Sequence, residues 1–163
     1  FPVIFCHEFA GDYRSWDPQV RAFGHLYRSI TWSYRGFPPS GIPENQSDYS
    51  QDHLIDDLHA LMDHLQIEQA FLVGFSMGGS MVLSFALRYP DLCRGIVVVG
   101  AGAGTTNRER FEQDIAHTVE MLRTQGIAAF AETYSQGSSR QPFKRKDPHG
   151  YAVFRQQLAR RAL

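Results

Sequence analysis

Short apolar runs alternate with amphipathic stretches along the first hundred residues. Residues 1–6 (FPVIFC) are continuously apolar and rich in aromatic and β-branched side chains, the pattern of a buried parallel strand. Residues 15–23 read as a short helix with Trp16, Val20 and Phe23 on one side, and residues 27–33 as a second strand. The cluster Arg35-Gly36-Phe37-Pro38-Pro39 closes that strand and opens a polar loop to about Ser50. Residues 52–65 place Leu54, Leu58, Leu61, Met62 and Leu65 at helical spacing, with Asp and His side chains opposite. Ala70–Phe75 (AFLVGF) reads as a third strand. Residues 77–89 read as a helix apolar nearly all round, hence buried, and ended by Pro90. Residues 95–99 (GIVVV) read as a fourth strand. Strands and helices in this alternation predict a mostly parallel sheet flanked by helices on both faces, an α/β fold.

After Gly104 the texture changes. Residues 107–122 and 151–163 are charged amphipathic helices, and no further Val/Ile-rich strand appears. The expected division is a core over residues 1–104 and a helical region over 105–163. The chain starts at Phe1 inside a strand pattern and stops at Leu163 inside a helical one. Domains usually end in polar, frayed segments, so the expectation is a piece of a longer protein.

The stretch with the most chemical content is Gly74-Phe75-Ser76-Met77-Gly78, at the junction of the third strand and the helix after it. A serine hydroxyl is a weak nucleophile until a base takes its proton, and it must stand clear of the sheet to be reached. A sharp strand-to-helix turn lifts it there and crowds strand against helix, so positions 74 and 78 call for glycine. The helix starting at Met77 aims its unpaired N–H groups and positive dipole end at the same place. The Met77 N–H is therefore the first candidate donor to an oxyanion.

The remaining landmarks extend the pattern. They are a first strand ending in His7, then Phe9 and Gly11, Trp16 in the next helix, Tyr34-Arg35-Gly36 after the second strand, and Gly74-Phe75-Ser76-Met77-Gly78-Gly79. Together they resemble the α/β-hydrolase superfamily from its third sheet strand onward, closely over residues 1–104 and loosely over 105–163. The resemblance implies a partial α/β-hydrolase fold with the start of a helical cap, and Ser76 as nucleophile. It implies oxyanion donors at the backbone N–H of Met77 and of Phe9. It points to hydrolysis of an ester, lactone or activated carbonyl, with C–C cleaving and cofactor-free haloperoxidase-like members among the relatives. Members with an aspartate nucleophile, the dehalogenases and epoxide hydrolases, differ at the position of Ser76. The family usually has glycine where this chain has Glu8. That carboxylate either restricts the loop, approaches the site or points outward, and the outward orientation is expected. His7 is expected to hold the loop by hydrogen bonds. It precedes the nucleophile, whereas the family order is serine, acid, histidine, so it is not the base. Phe75 sits beside the site within the motif.

Only His117 and His149 follow Ser76. His117 falls on the polar side of a helix, and His149 in the turn Asp147-Pro148-His149-Gly150. In the resembling family the acid and histidine follow later strands. The stretch Gly100-Ala101-Gly102-Ala103-Gly104 carries no carboxylate. Both partners are therefore expected beyond residue 163. The family's cap also suggests Phe111, Met121, Phe130, Tyr134, Phe143, Tyr151 and Phe154 as residues that either line a mainly apolar pocket or form the cap's own core, the core being expected for most.

Composition narrows the alternatives. Formal net charge is -1 with 20% charged residues, so nothing draws the chain to nucleic acid or an anionic membrane. The basic run Lys144, Arg145, Lys146 reads as a solvated loop. The two cysteines, Cys6 and Cys93, read as buried thiols of a reducing, cytoplasmic compartment. No run reaches the ~20 apolar residues of a membrane span. His53, His59 and His64 share a helix with four aspartates, a solvated polar face in preference to a metal site. The glycines at 100, 102 and 104 lack the third glycine of a dinucleotide loop, and no P-loop is present. No cofactor or metal is implied, and the expected partner is a small, mainly apolar carbonyl compound. The competing expectation is a binding or scaffold protein that keeps the fold without the chemistry.

Overall fold

The computed structural model describes residues 1–101 and 107–160. The chain divides into two compact units, Phe1–Ala103 and Gly104–Leu163. The boundary expected at Gly104, the glycine run from residue 102 onward and the predicted helix end at 161–163 lie outside the described residues.

The first unit contains β1 (Val3–Cys6), α1 (Asp17–Phe23), β2 (Ser29–Thr31), α2 (Gln51–His64), β3 (Ala70–Phe75), α3 (Met77–Arg88) and β4 (Cys93–Val99). The four strands form one parallel sheet in the order β2-β1-β3-β4. Ile4 pairs with Ile30 on one side and Leu72 on the other, and Cys6 pairs with Gly74. Alternate residues of a strand face opposite ways. Ile4, Cys6, Ala70 and Leu72 accordingly join Ile55, Leu58 and Met62 of α2 and Met81, Val82 and Phe85 of α3 in a buried cluster. Phe5 instead meets the Trp16 ring, 5.1 Å between centroids. Helices α2 and α3 are pinned along their polar sides. Gln51 donates to the Ser80 carbonyl and Ser84 Oγ, and Arg88 pairs with Asp52 and Asp56. No helix among the described residues is long and apolar enough to cross a membrane.

Several expectations need correction. The helix read over 15–23 is a 3-10 turn, Tyr13–Trp16, followed by α1, and Phe23 is exposed. Asp12 is the cause: its side chain accepts the Arg14 N–H and starts the turn early. The strand read over 27–33 shrinks to three residues, those that its ladder with β1 covers from Val3↔Ser29 to Phe5↔Thr31. Helix α3 is not buried all round, since Leu83 and Leu87 face outward, Leu87 at 86% exposure. Strand β4 lies at the sheet edge among the described residues, and Ile96, Val97 and Val99 are exposed.

The second unit is helical. Helix α4 (Arg108–Gln136) is broken at Gly126, where φ is 78° and ψ is 177°, a conformation reserved for glycine. Helices α5 (Gln141–Lys146) and α6 (Pro148–Ala159) follow, so Lys144, Arg145 and Lys146 end a helix where a loop was expected. The aromatic residues pack within the unit. Phe130 and Tyr151 are buried, Phe143 meets the rings of Tyr151 and Phe154, and Tyr151 Oη donates to the Ser135 carbonyl at 3.0 Å. Phe111 is exposed.

Candidate active site

Ser76 is the single residue between β3 and α3, and its backbone is left-handed at φ 53°, ψ −115°. For a non-glycine residue that conformation costs about 1–3 kcal/mol and persists only where its surroundings enforce it. Those surroundings are visible. A Cβ on Gly74 would run into the Gly78 peptide, its carbonyl carbon at 2.5 Å and the Gly79 nitrogen at 2.7 Å. A Cβ on Gly78 would lie 2.6 Å from the Cys6 carbonyl carbon and 2.7 Å from the His7 oxygen. Strand β3, helix α3 and the end of β1 thus meet at backbone contact. The Ser76 N–H donates to the Val99 carbonyl at 2.8 Å, fixing the turn to β4, and the Ser76 carbonyl accepts the Ser80 N–H at 3.1 Å as α3 begins. The Ser76 side chain makes no capping bond to the helix, as its φ and ψ require. Met77 and Phe75 are half-buried. The Phe75 ring lies against Gly100, another left-handed residue, where a Cβ would sit 2.9 Å from the ring.

The loop after β1 is held by His7. Its ring is fully buried and stacks on Tyr34 with centroids 3.9 Å apart. Its Nε2 accepts the Tyr34 N–H at 3.3 Å, which places the proton on Nδ1, and Nδ1 donates to the Glu8 carbonyl at 2.8 Å. The Tyr34 hydroxyl returns to the His7 carbonyl at 2.9 Å. The Glu8 carbonyl also accepts the Gly11 N–H at 2.9 Å. A peptide group is planar and trans, so its N–H points opposite to its carbonyl. Two donors on the Glu8 oxygen therefore set the direction of the Phe9 N–H. The Phe9 side chain is 44% exposed.

Glu8 does not point outward. It is 8% exposed, its carboxylate lying against Gly11 and within 3.4 Å of Ser15 Oγ. The turn at 8–11 folds it back, and the missing Gly11 side chain leaves the space it fills. Sequence reasoning also passed over Tyr34 as a loop anchor and Ser15 as a neighbour of Glu8. An aromatic side chain in the Tyr34-Arg35-Gly36 landmark was the one available sign.

Burial pushes the Cys6 thiol up to about 12, and burial also raises Cys93. Neither is a thiolate near neutral pH. Asp147 caps α6 through the Gly150 N–H at 2.8 Å, and His149 is exposed beside it in the first turn of that helix. His117 is exposed on α4. His59 pairs with Asp63 at 3.2 Å, and among the described residues no group of three ligand-type side chains could hold a metal.

A family model described as alpha/beta hydrolase fold matches residues 2–148. The 3-oxoadipate enol-lactonase 2 of Acinetobacter baylyi is 29% identical over 131 residues, covering 80% of this chain and 47% of the relative. Epoxide hydrolase 2 of Siraitia grosvenorii is 36% identical over 96 residues, covering 58% of this chain and 30% of the relative. Among solved structures, a thermophilic esterase from Thermogutta terrifontis aligns with a TM-score of 0.84 at 26% identity, over 98% of this chain and 58% of its own. The enol-lactonase of Burkholderia xenovorans aligns at 0.82 and 25%, over 98% and 59%. The chain thus spans less than half the length of these curated relatives. With a parallel sheet in the order β2-β1-β3-β4, a strained serine at the end of β3 and a family match over most of its length, the chain belongs to the alpha/beta hydrolase fold family.

Proposed function

We propose that this chain carries the nucleophile and the oxyanion donors of a hydrolase acting on an ester, lactone or similarly activated carbonyl. The observation that supports this most directly is the left-handed Ser76, held by glycines at 74 and 78 on the carboxyl end of a central strand. In this reading Ser76 Oγ attacks the carbonyl carbon and a base takes its proton. The carbonyl π electrons move onto oxygen, and the N–H groups of Met77 and Phe9 hold that charge. Helix α3, twelve residues long, adds its positive end. The tetrahedral adduct collapses by expelling the alcohol or enol, which takes up the proton, and water then frees the acid by the same path. The histidine and acid of the relay are placed beyond residue 163. No cofactor takes part.

Relatives named as epoxide hydrolases raise a second reaction. The residue at position 76 argues against it. A serine oxygen opening an epoxide would form an alkyl ether, which water does not cleave under mild conditions, so the enzyme would not turn over. Attack at a carbonyl leaves an ester, which water does cleave. The names of the enol-lactonase and esterase relatives fit this second outcome.

The test uses the full-length protein with a short chromogenic ester and a fluorophosphonate probe. The probe is expected to add to Ser76, located by peptide mass, and Ser76→Ala to lose the label and at least about a thousandfold in kcat. A protein that hydrolyses nothing and takes no label would instead be a binding protein on this fold.

A further inference from the structure

We infer that Glu8 is a positioning residue for the oxyanion loop: its side chain, wedged between Gly11 and Ser15, holds the turn that aims the Phe9 N–H. The inference rests on the reading of Phe9 as an oxyanion donor given above.

A buried carboxylate needs a reason, because removing it from water without a cation is costly. Glu8 is 8% exposed and makes no ion pair among the described residues. The nearest arginine in sequence, Arg14, is committed to Asp12 through two side-chain bonds, 3.0 and 2.6 Å long. What Glu8 touches is its own loop. An ideal Cβ on Gly11 would lie 2.5 Å from Glu8 Cδ and 2.5 Å from Oε2, so the side chain occupies the place where any other residue at 11 would begin. Ser15 Oγ reaches Oε1 at 3.4 Å, a long bond, and also accepts the Asp12 N–H at 3.2 Å. Asp12 in turn starts the 3-10 turn Tyr13–Trp16. The wedge thus ties the turn at 8–11 to the first rigid element after it.

The peptide it ties down is the relevant one. The Glu8 carbonyl is clamped by His7 Nδ1 from behind and by the Gly11 N–H from ahead. Rotation of the Glu8–Phe9 peptide would break both bonds and swing the Phe9 N–H away. The His7 bond depends on a buried ring held by Tyr34. The Gly11 bond depends on the turn keeping its shape, and the Glu8 side chain is what fills that turn. A glycine at position 8 would leave the turn unfilled and freer to adopt other shapes.

The test is steady-state kinetics on a short chromogenic ester with Glu8→Ala, Glu8→Gln and Ser15→Ala in the full-length protein, beside hydrogen exchange of the peptide spanning residues 7–16. Glu8→Ala is expected to lower kcat by about ten- to a hundredfold with KM within about twofold, since a displaced donor is lost in the transition state and not in substrate binding. Exchange in residues 7–16 should rise while the rest of the sheet stays protected. Glu8→Gln keeps the shape and an acceptor oxygen and should restore kcat to within about threefold. Ser15→Ala should cost less than Glu8→Ala, with the same unchanged KM. An unchanged kcat in Glu8→Ala overturns the inference. So does a Glu8→Gln variant as slow as Glu8→Ala, which would assign the residue a role through its charge. If Glu8→Ala does not fold, Glu8→Gln and Ser15→Ala carry the same comparison. Should Ser76 take no probe and Ser76→Ala keep full activity, the proposed function fails on its own, and the exchange measurement still decides whether Glu8 braces the turn.

Discussion

Tyr34 grips His7 at three points: its ring stacks on the imidazole at 3.9 Å, its N–H reaches Nε2 at 3.3 Å, and its hydroxyl reaches the His7 carbonyl at 2.9 Å. The grip joins the segment after β2 to the loop after β1, next to the Gly78 backbone that crowds the same carbonyl. Tyr34→Phe removes only the hydroxyl bond and leaves a buried carbonyl with one partner fewer. Losing such a bond should cost about 1–3 kcal/mol, read from urea or thermal unfolding. The stacked ring and the N–H bond remain, so the variant should still fold. A Tyr34→Phe protein as stable as the parent would show that the hydroxyl bond contributes nothing.

Burial gives the core a defined response to alkali. The Cys6 thiol is pushed from 9.0 to about 12, and the Tyr34 phenol is also raised by burial. In both cases the fold favours the neutral form. The stabilisation is whole below about pH 9, where the unfolded thiol is still protonated, and shrinks as pH rises from there toward 12. Unfolding free energy should therefore fall over that window, and Cys6→Ala should flatten the fall relative to the parent. Iodoacetamide at pH 8 should leave Cys6 unmodified in the folded protein and react with it in denaturant.

Parts of the fold were readable from the sequence because they repeat a simple signal. Strands β1 and β3 are unbroken apolar runs, β4 ends in one at residues 96–99, and Ser76 stands between glycines whose purpose is steric. Other parts depend on neighbours that a linear pattern does not display. Strand β2 covers only Ser29 to Thr31, the residues its ladder with β1 reaches, and not the whole stretch around them. Leu83 and Leu87 look like core residues, yet they lie on the face of α3 turned from the sheet cluster. Residues 123–150 carry no long periodic run, and the left-handed Gly126 interrupts helix α4 there. Glu8 looked like a surface residue because the space it fills belongs to Gly11, three positions on.

The glycines of the first unit should separate cleanly by mutation. At Gly78 a new Cβ meets two backbone carbonyls, which cannot step aside, and overpacking of this kind costs about 1–3 kcal/mol or more. At Gly41 nothing lies within 4 Å of the added carbon and φ is not positive. Gly41→Ala should be neutral or stabilising by up to about 1 kcal/mol, through the lost freedom of the unfolded chain. Thermal melts of the two variants should thus move in opposite directions, or Gly41→Ala not at all. Equal losses at both positions would contradict the crowding described at the strand–helix turn.

The strain at Ser76 predicts that the nucleophile weakens the fold it serves. At φ 53° and ψ −115° a serine pays a backbone cost of about 1–3 kcal/mol that glycine largely avoids. Glycine also loosens the unfolded chain, at about 0.4–1 kcal/mol in the opposite direction. Strain relief should win, because only steric contact with its own Cβ opposes this conformation. Ser76→Gly should therefore be more stable than Ser76→Ala by about 0.5–2 kcal/mol, since alanine keeps the Cβ and with it the strain. Both should lack activity on the chromogenic ester. Chemical denaturation of the two variants side by side is the measurement, and its direction decides the matter. If Ser76→Gly is the less stable, the turn is not holding its serine against a steric preference.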